Sequence, residues 1–148
     1  MTTPTSTDAR LANEAWEGVL TAHTHLMRRF AAREYWSEAS IREYDVLYTL
    51  TKCGGPQRLS DLSDHVLLSQ PALSRLVDRL VERGLIERCV DPADARAVRL
   101  TLSESGRALQ REIGRAHARD VAEALSALDP QELETIARLT RKLTSQED

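Results

Sequence analysis

The sequence predicts a mostly α-helical protein that also contains one small β-hairpin. Long stretches near both ends repeat apolar residues at the three- and four-residue spacing of amphipathic helices. In the middle of the chain, a short helical segment, a tight turn and a second helical segment follow one another. After Gly84 the pattern changes to two short segments rich in β-branched residues and separated by a turn, which is typical of a hairpin.

The best-marked helix lies between Ser69 and Gly84. Ser69 is a good N-cap, because its hydroxyl can accept a hydrogen bond from a free N–H of the first turn. Pro71 lies in that turn, where its missing N–H does no harm, and Gly84 can adopt the left-handed conformation that ends a helix. One face is apolar and is predicted to face a core: Leu73, Leu76, Val77, Leu80 and Val81.

The opposite face of this helix is polar and carries Gln70, Ser74, Arg75 and Arg79. An amide, a hydroxyl and guanidinium groups near a helix N-terminus suit the phosphates and base edges of a DNA major groove. An ordinary solvated face has the same composition, so the flanking elements must decide between the two interpretations.

The region before this helix predicts a long helix, a capped helix and a short helix. Residues 8–34 are apolar at helical spacing, and so much apolar surface predicts packing against a second chain. Ser40 and Glu43 form a capping box that starts the next helix. Residues 59–66 are predicted as a short helix capped by Ser60. A short helix, a tight turn and a helix with a polar outer face are typical of a helix-turn-helix.

The hairpin after the helix-turn-helix makes the prediction a winged helix. Its strands are predicted at residues 86–90 and 97–102, and residues 91–96 form the connection. Arg96 is expected at the tip, where it can enter a narrow minor groove, and Asp94 can hold its guanidinium in place. An exposed ion pair of little energetic value is the alternative.

Two more helices are predicted after the hairpin, one from Ser103 and one capped by Asp129 with Pro130 in its first turn. The predicted architecture is therefore a winged helix-turn-helix flanked by long dimerisation helices. The predicted segments are a disordered tail at 1–7 and a single domain at 8–148, in which 8–36 and 103–148 form the dimerisation helices and 40–102 the winged-helix region.

The net charge of −3 argues against an obvious nucleic-acid binder, but the charge is unevenly distributed. Up to residue 57 there are seven acids and six bases, and from residue 112 onward eight acids and five bases. Residues 58–111 contain eight acids and nine bases, all of them arginine. Only this middle segment is not net negative, which weakly favours a DNA-facing surface there.

Composition favours one folded domain, with 148 residues of which 41% are hydrophobic and 29% charged. No apolar run approaches the roughly 20 residues needed to cross a bilayer, and the N-terminus lacks the order of a signal peptide. We therefore expect a cytoplasmic protein with no membrane partner. Cys53 and Cys89 are expected to be reduced; buried packing is the usual role of cysteine, and thiol sensing is the alternative.

Two long stretches carry the most specific information, LSQPALSRLVDRLVERGLIER at residues 68–88 and DPADARAVRLTLSESGR at residues 91–107. Together, and in this order, they resemble the MarR family of bacterial winged-helix transcription regulators. The resemblance extends from about residue 8 to residue 143. The second stretch contains the family's wing signature, which here is Asp94, Arg96, Leu100, Thr101, Gly106 and Arg107.

This resemblance implies a homodimer that binds a pseudo-palindromic site in promoter DNA, with the helix-turn-helix in the major groove and the wing in the adjoining minor groove. In the family, small molecules that are often aromatic or anionic bind between the dimer helices and the winged helix and usually release the DNA. We therefore expect a ligand-responsive repressor. The predicted DNA-binding residues are Ser69, Gln70, Pro71, Ser74, Arg75, Arg79, Asp94 and Arg96.

Candidate effector contacts follow from residue type, because aromatic side chains near arginines suit a flat anionic ligand. The stretch EYDVL at residues 43–47 is also similar to a urate-responsive subgroup, in which an aspartate at the position of Asp45 helps to sense the ligand. That ligand is not carried over to this chain. The candidates are Trp16, Arg28, Trp36, Tyr44, Asp45 and Tyr48, although Trp16 and Tyr44 also have the spacing of core residues.

Other functions have weaker support. His23 and His25 point in different directions on one helix, and His25 with His117 across a dimer gives too few ligands for a metal site. No glycine-rich phosphate loop and no recognisable Ser-His-Asp signature occur in the sequence. We therefore predict no enzyme activity, metal or cofactor. The alternative is a winged helix that uses its helices for protein contact or for thiol or metal sensing.

Overall fold

Residues 6–145 are described by the computed structural model, and within them helices predominate. The helices are α1 (Ser6–Ala31), α2 (Ile41–Cys53), α3 (Leu59–Ser63), α4 (Gln70–Glu82), α5 (Glu104–Ala124) and α6 (Pro130–Thr144), with a turn of 3₁₀ helix at Glu34–Trp36. The strands are β1 (Gln57–Arg58), β2 (Ile86–Asp91) and β3 (Asp94–Leu102). This arrangement confirms the predicted fold class, a helical protein with a small β wing.

The predicted helix caps of α2 and α4 are present. The Ser40 hydroxyl accepts from the Glu43 N–H at 3.2 Å, and the Glu43 carboxylate accepts from the Ser40 N–H at 2.9 Å. The Ser69 hydroxyl accepts from the Ala72 N–H at 3.3 Å, which fixes the start of α4. Gly84 has a φ of 73°, so it supplies the left-handed residue that ends this helix.

Several predicted boundaries were wrong. Helix α3 begins at Leu59 and ends at Ser63, and its cap position is Arg58 rather than Ser60, because the Asp61 carboxylate accepts from the Arg58 N–H at 2.9 Å. Of the predicted tail at residues 1–7, residues 1–5 lie outside the described residues, and residues 6 and 7 belong to α1. Helix α5 ends at Ala124.

The sheet contains a strand that the sequence pattern did not predict. Its order is β1-β3-β2, and all neighbouring strands are antiparallel. Arg58 of β1 pairs with Arg99 of β3, so the short segment before α3 attaches the base of the wing to the helix-turn-helix. Only Pro92 and Ala93 separate β2 from β3, which places Arg96 inside β3 rather than in the predicted connection.

The core lies between α2, α4, the sheet and α5. Gly106 allows a close approach at this junction, because a Cβ there would overlap the backbone carbonyl of Leu85. The apolar face predicted for α4 is buried at four of its five positions, and Val81 is half-buried. The side chains that are less than 2% exposed include Val46, Leu47, Leu62, Leu73, Leu80 and Ile86.

The terminal helices leave broad apolar faces uncovered in the single chain. Along α6, none of residues 130–144 is buried. Within residues 8–31 of α1, whose burial is described, Phe30 is the one buried side chain. The large apolar residues exposed on these helices include Leu11, Trp16, Val19, Leu20, Leu133, Ile136, Leu139 and Leu143.

Two further sequence-based expectations concern the surface. Cys53 and Cys89 are both exposed, so the buried packing role that we considered usual for cysteine was wrong here. None of the helices in residues 6–145 has the length and apolarity that a bilayer crossing requires.

Candidate DNA interface and effector cavity

Helix α4 presents its polar face to solvent. Ser69, Gln70 and Pro71 are exposed at its start, and Ser74 is half-buried one turn later. Arg75 and Arg79 are exposed, and neither forms an ion pair within residues 6–145. These guanidinium groups therefore remain available for phosphates or base edges.

One acid on α4 is neutralised by the sheet. Asp78 forms an ion pair with Arg88 of β2, and both side chains are exposed. The pair offsets a negative charge next to the arginines of α4 and ties the helix to the first strand of the wing.

The wing arginine is exposed, but its predicted partner is oriented differently. Asp94 accepts a hydrogen bond from the backbone N–H of Arg96 at 3.0 Å, and no ion pair between their side chains occurs in the described chain. The expectation that Asp94 holds the guanidinium was therefore wrong in this geometry. Asp94 instead shapes the turn that presents Arg96.

The base of the wing is held by a buried carboxylate that the sequence analysis did not identify. Asp91 is 1% exposed and accepts from Arg58 Nε at 2.9 Å, from Arg58 Nη2 at 2.6 Å and from the Ala93 N–H at 2.9 Å. Arg99 Nε lies 3.0 Å from the same carboxylate, in an ion pair without hydrogen-bond alignment.

Electrostatics keeps Asp91 ionised. The hydrogen bond from the Ala93 N–H, followed by the interactions with Arg99 and Arg58, lowers the pKa of its carboxyl below the ordinary value, against the opposing effect of burial. One carboxylate thus connects all three strands, because Arg58 lies on β1, Asp91 on β2 and Arg99 on β3.

A cavity of about 510 Å³ lies between α1, α2, the turn after α3 and α5. Its volume falls in the range of small-molecule sites, roughly 300–1,000 Å³. Three predicted effector residues, Trp36, Tyr44 and Asp45, line it. The other lining residues are His23, Met27, Phe30, Ile41, Arg42, Val66, Leu67, Leu68 and His117.

The remaining effector candidates lie elsewhere. Trp16 is 61% exposed on the uncovered face of α1, and Arg28 is exposed on the same helix outside the cavity lining. Tyr48 stacks on Tyr44, with ring centroids 5.9 Å apart and planes 19° apart, and borders a second depression that also includes Asp45.

An aromatic cluster forms one wall of the cavity. His117 of α5 packs edge-on against Phe30 at 4.9 Å and against Tyr44 at 5.9 Å, and it lies 5.4 Å from Trp36. The Trp36 indole N–H donates to the Phe30 carbonyl at 2.7 Å, so the end of α1 and the following turn are joined. The sequence indicates His117 only as a possible metal ligand, since nothing in the residue pattern places α5 beside α2.

A chain of polar contacts reaches His117 from the protein surface. Arg33 Nε donates to Asp120 Oδ2 at 2.9 Å, and Arg33 Nη2 lies 2.6 Å from Oδ1. The Tyr35 hydroxyl donates to Asp120 Oδ2 at 2.9 Å and lies 3.2 Å from His117 Nδ1. Asp120 is buried, whereas Tyr35 and His117 are half-buried.

These contacts shift the pKa values of the groups around the cavity. Burial raises the pKa of Tyr35, and its hydrogen bond to Asp120 adds to that effect, which brings the pKa to about 12. Burial would raise the pKa of Asp120, but hydrogen bonds from Tyr35 and Arg33 outweigh it and the pKa is lowered. Burial lowers the pKa of His117 and raises that of Asp45.

Comparison with known proteins agrees with this geometry. A sequence profile of the MarR family matches residues 40–97, the region from α2 through most of the wing. An uncharacterized HTH-type transcriptional regulator of Mycobacterium bovis is 30% identical over 125 residues, which cover 84% of both chains. The chain belongs to the MarR family.

Other comparisons cover different shares of the chain. The HTH-type regulator YkoM of Bacillus subtilis is 32% identical over 98 residues, which are 66% of this chain but only 61% of YkoM. A solved structure of BpsR from Bordetella bronchiseptica has a TM-score of 0.74 at 26% identity and covers 88% of this chain and 98% of BpsR. That structure was described as a mechanism by which 6-hydroxynicotinic acid regulates DNA binding of BpsR.

The chain is thus a winged-helix member of this family, and it is similar to HTH-type transcriptional regulators and to the DNA-binding protein BpsR. Its relatives in these comparisons are transcriptional regulators rather than enzymes.

Proposed function

We propose that this protein is a homodimeric repressor that binds a pseudo-palindromic double-stranded promoter site and releases it when a small molecule binds. The exposed polar face of α4 is the observation that carries the proposal. Arg75 and Arg79 lack ion-pair partners within the described chain, and Ser69, Gln70 and Pro71 are exposed at the same helix N-terminus. Such a face suits direct readout in a major groove.

Dimerisation is supported by the uncovered apolar faces of α1 and α6. Their exposed leucine, isoleucine, valine and tryptophan side chains would leave a large hydrophobic surface on a monomer, and surfaces of this kind usually mark interfaces. A two-fold dimer presents two copies of α4, and a two-fold arrangement of reading helices matches a pseudo-palindromic site.

A ligand response is supported by the position of the cavity. Its walls combine α1 and α5, which belong to the proposed dimerisation helices, with α2 and the turn that leads into α4. A molecule bound there touches both the part that sets the dimer and the part that reads DNA. Differential binding to two arrangements of these parts would couple the ligand to DNA affinity.

Selection of DNA fragments with the purified protein tests the proposal. We expect enrichment of one pseudo-palindromic sequence with two half-sites, and a footprint that covers both. The selected site, placed upstream of a reporter, should give lower expression when the protein is present, as a repressor requires. Selection without any enriched motif would contradict sequence-specific binding, and higher expression would contradict repression.

A further inference from the structure

The proton positions in the chain from Arg33 to His117 follow from the donors available. Asp120 is an ionised carboxylate and can only accept, since Tyr35 and Arg33 both donate to it. Tyr35 has one hydroxyl proton, and its bond to a carboxylate is charge-assisted and therefore the stronger of its two contacts. The tyrosine proton is then used, so the 3.2 Å contact between the Tyr35 hydroxyl oxygen and His117 Nδ1 requires Nδ1 to carry a proton and to donate it.

This assignment leaves Nε2 of neutral His117 without a proton. Nε2 forms no hydrogen bond within residues 6–145. Among the described residues, Arg99 Nε is the side-chain atom that is both fully buried and without a hydrogen-bond partner, so Nε2 of His117 is not fully buried. The nitrogen is therefore accessible, and the space that the ring borders is the cavity. A bare imidazole nitrogen in this position is a hydrogen-bond acceptor with no protein donor to satisfy it.

We propose that His117 is the hydrogen-bond acceptor that selects the effector, and that Tyr35 is the positioning residue that keeps His117 in this tautomer. This inference rests on the ligand response proposed above and adds the chemical class of the ligand. The cavity selects a flat aromatic molecule with an O–H or N–H donor over one of the same shape without a donor, and over an aromatic carboxylate.

The other groups of the cavity agree with this selectivity. Phe30, Trp36 and Tyr44 supply flat apolar surface for a ring. Asp45 lines the same cavity and is a second acceptor. Arg42 also lines the cavity, but it lies one helical turn from Asp45 and their charges interact, so its attraction for an anion is offset.

The selectivity should reverse in acid, because a protonated His117 donates from both nitrogens. Burial lowers the pKa of His117, while the charges of Asp120 and Asp45 act in the opposite direction. The net lowered pKa keeps the ring neutral at pH 7.5. The other titratable or charged groups around it are Tyr35, Tyr44, Arg42 and His23, with Arg33 beyond Asp120.

The first test measures the tautomer without any ligand. Ring ¹⁵N chemical shifts of His117 at pH 7.5, assigned by their loss in His117→Phe, show which nitrogen carries the proton. We expect Nδ1–H in the unmodified protein. In Tyr35→Phe the Nδ1 partner is absent, so the signal should shift toward Nε2–H. An unmodified protein with Nε2–H overturns the proposal.

The second test measures selectivity with three probes of similar shape: 2-naphthol, 2-methoxynaphthalene and 2-naphthoate. Calorimetry at pH 7.5 should show 2-naphthol binding about 3- to 10-fold more tightly than 2-methoxynaphthalene, the range that one net hydrogen bond supplies. It should also bind more tightly than 2-naphthoate. In His117→Phe and in Tyr35→Phe, the ratio of the affinities for 2-naphthol and 2-methoxynaphthalene should fall toward one. His25→Phe is the matched control, because His25 is exposed and does not line the cavity.

Release of the selected promoter DNA is measured with the same probes, so that the two proposals can fail separately. Selective binding of 2-naphthol without DNA release supports the role of His117 and contradicts the ligand response. Equal binding of 2-naphthol and 2-methoxynaphthalene overturns the role of His117, whether or not DNA is released. A ratio that is unchanged in both phenylalanine variants also overturns it, and no binding of any probe contradicts both proposals.

Discussion

Arg58 Nη2 lies 2.6 Å from Asp91 Oδ2 and joins the two-residue strand before the helix-turn-helix to the base of the wing. The carboxylate is 1% exposed, whereas the arginine keeps 43% of its side chain accessible. Asp91 is therefore the buried member of this ion pair. Its negative charge is compensated by Arg58, by Arg99 and by the Ala93 N–H.

Asp91→Asn should lower the thermal unfolding midpoint and weaken DNA binding. The amide keeps the shape of the carboxylate but leaves Arg58 and Arg99 beside a neutral group, so the anchor of the wing is lost. Thermal denaturation and fluorescence anisotropy with the selected DNA measure the two effects. Glu87→Gln, an exposed acid on the same strand, is the control and should change neither. A stable Asp91→Asn variant would contradict the anchoring role.

The stabilising effect of Asp91 should depend on pH. Its pKa is lower in the folded protein than in the unfolded chain, so its contribution is fully present above the unfolded value of about 4 and is lost as the pH falls further. The difference in unfolding free energy between the unmodified protein and Asp91→Asn should be largest at neutral pH and shrink below about pH 4. Urea denaturation across this range measures it, and a constant difference would show that charge is not the cause.

Arg75→Ala should reduce affinity for the selected site by about 1–3 kcal/mol and flatten discrimination at one base position in each half-site. Arg75 is exposed on α4 and has no ion-pair partner within the described residues, so its guanidinium can contact a base edge. Anisotropy with the selected site and with single-base variants measures both effects. Equal loss on all sequences would assign Arg75 to a phosphate, and unchanged binding would remove α4 from the interface.

We expect two substitutions of Asp94 in the wing to change the affinity for DNA in opposite directions. Asp94→Asn keeps an oxygen that accepts from the Arg96 N–H and removes a negative charge, so DNA binding should strengthen slightly. Asp94→Ala loses the acceptor and should weaken binding, because the turn no longer presents Arg96. Arg96→Ala should weaken binding and reduce the slope of log affinity against log salt by about one unit per half-site. Tighter binding by Asp94→Ala would contradict the turn-shaping role.

Ile136→Arg should dissociate the proposed dimer, since it places a charge in the middle of the uncovered apolar face of α6. Sedimentation at micromolar concentration should give about twice the 16.6 kDa chain mass for the unmodified protein and a lower mass for the variant. Gln131→Arg adds the same charge at an exposed polar position of this helix and should remain dimeric. A monomeric unmodified protein would contradict dimerisation.

Local signals explain which parts of the fold could be predicted. Ser40, Ser69 and Gly84 act within a few residues of their own position, and the structure has each of them in its expected role. Strand β1 was missed because two residues carry no periodicity, and it is defined only by pairing with β3. Ser60 was predicted as the cap because of its residue type. In the structure the cap position is Arg58, because its backbone N–H donates to the Asp61 carboxylate.

The site was harder to predict than the fold, because its parts are distant in sequence. Asp91 resembled an ordinary turn residue before Pro92, and its partner Arg58 lies 33 positions away. His117 lies 82 positions from Tyr35, so no spacing rule connects them. Trp16 was selected as an aromatic near arginines, but it lies about two helical turns before the cavity residue His23, so it is beyond the cavity and exposed.

The close approach of Gly106 to the Leu85 carbonyl has a geometric consequence for the operator. In the proposed dimer, α5 leads into the interface, and Leu85 lies three residues after the end of α4, the helix that we propose binds DNA. Two α4 helices that bind the same side of B-DNA must lie about 34–36 Å apart, or a multiple of that distance. Because no side chain separates the two backbones at Gly106, we expect this contact to set the angle between α4 and the two-fold axis of the proposed dimer. The number of base pairs between half-sites would then depend on a position that lies outside the proposed DNA interface.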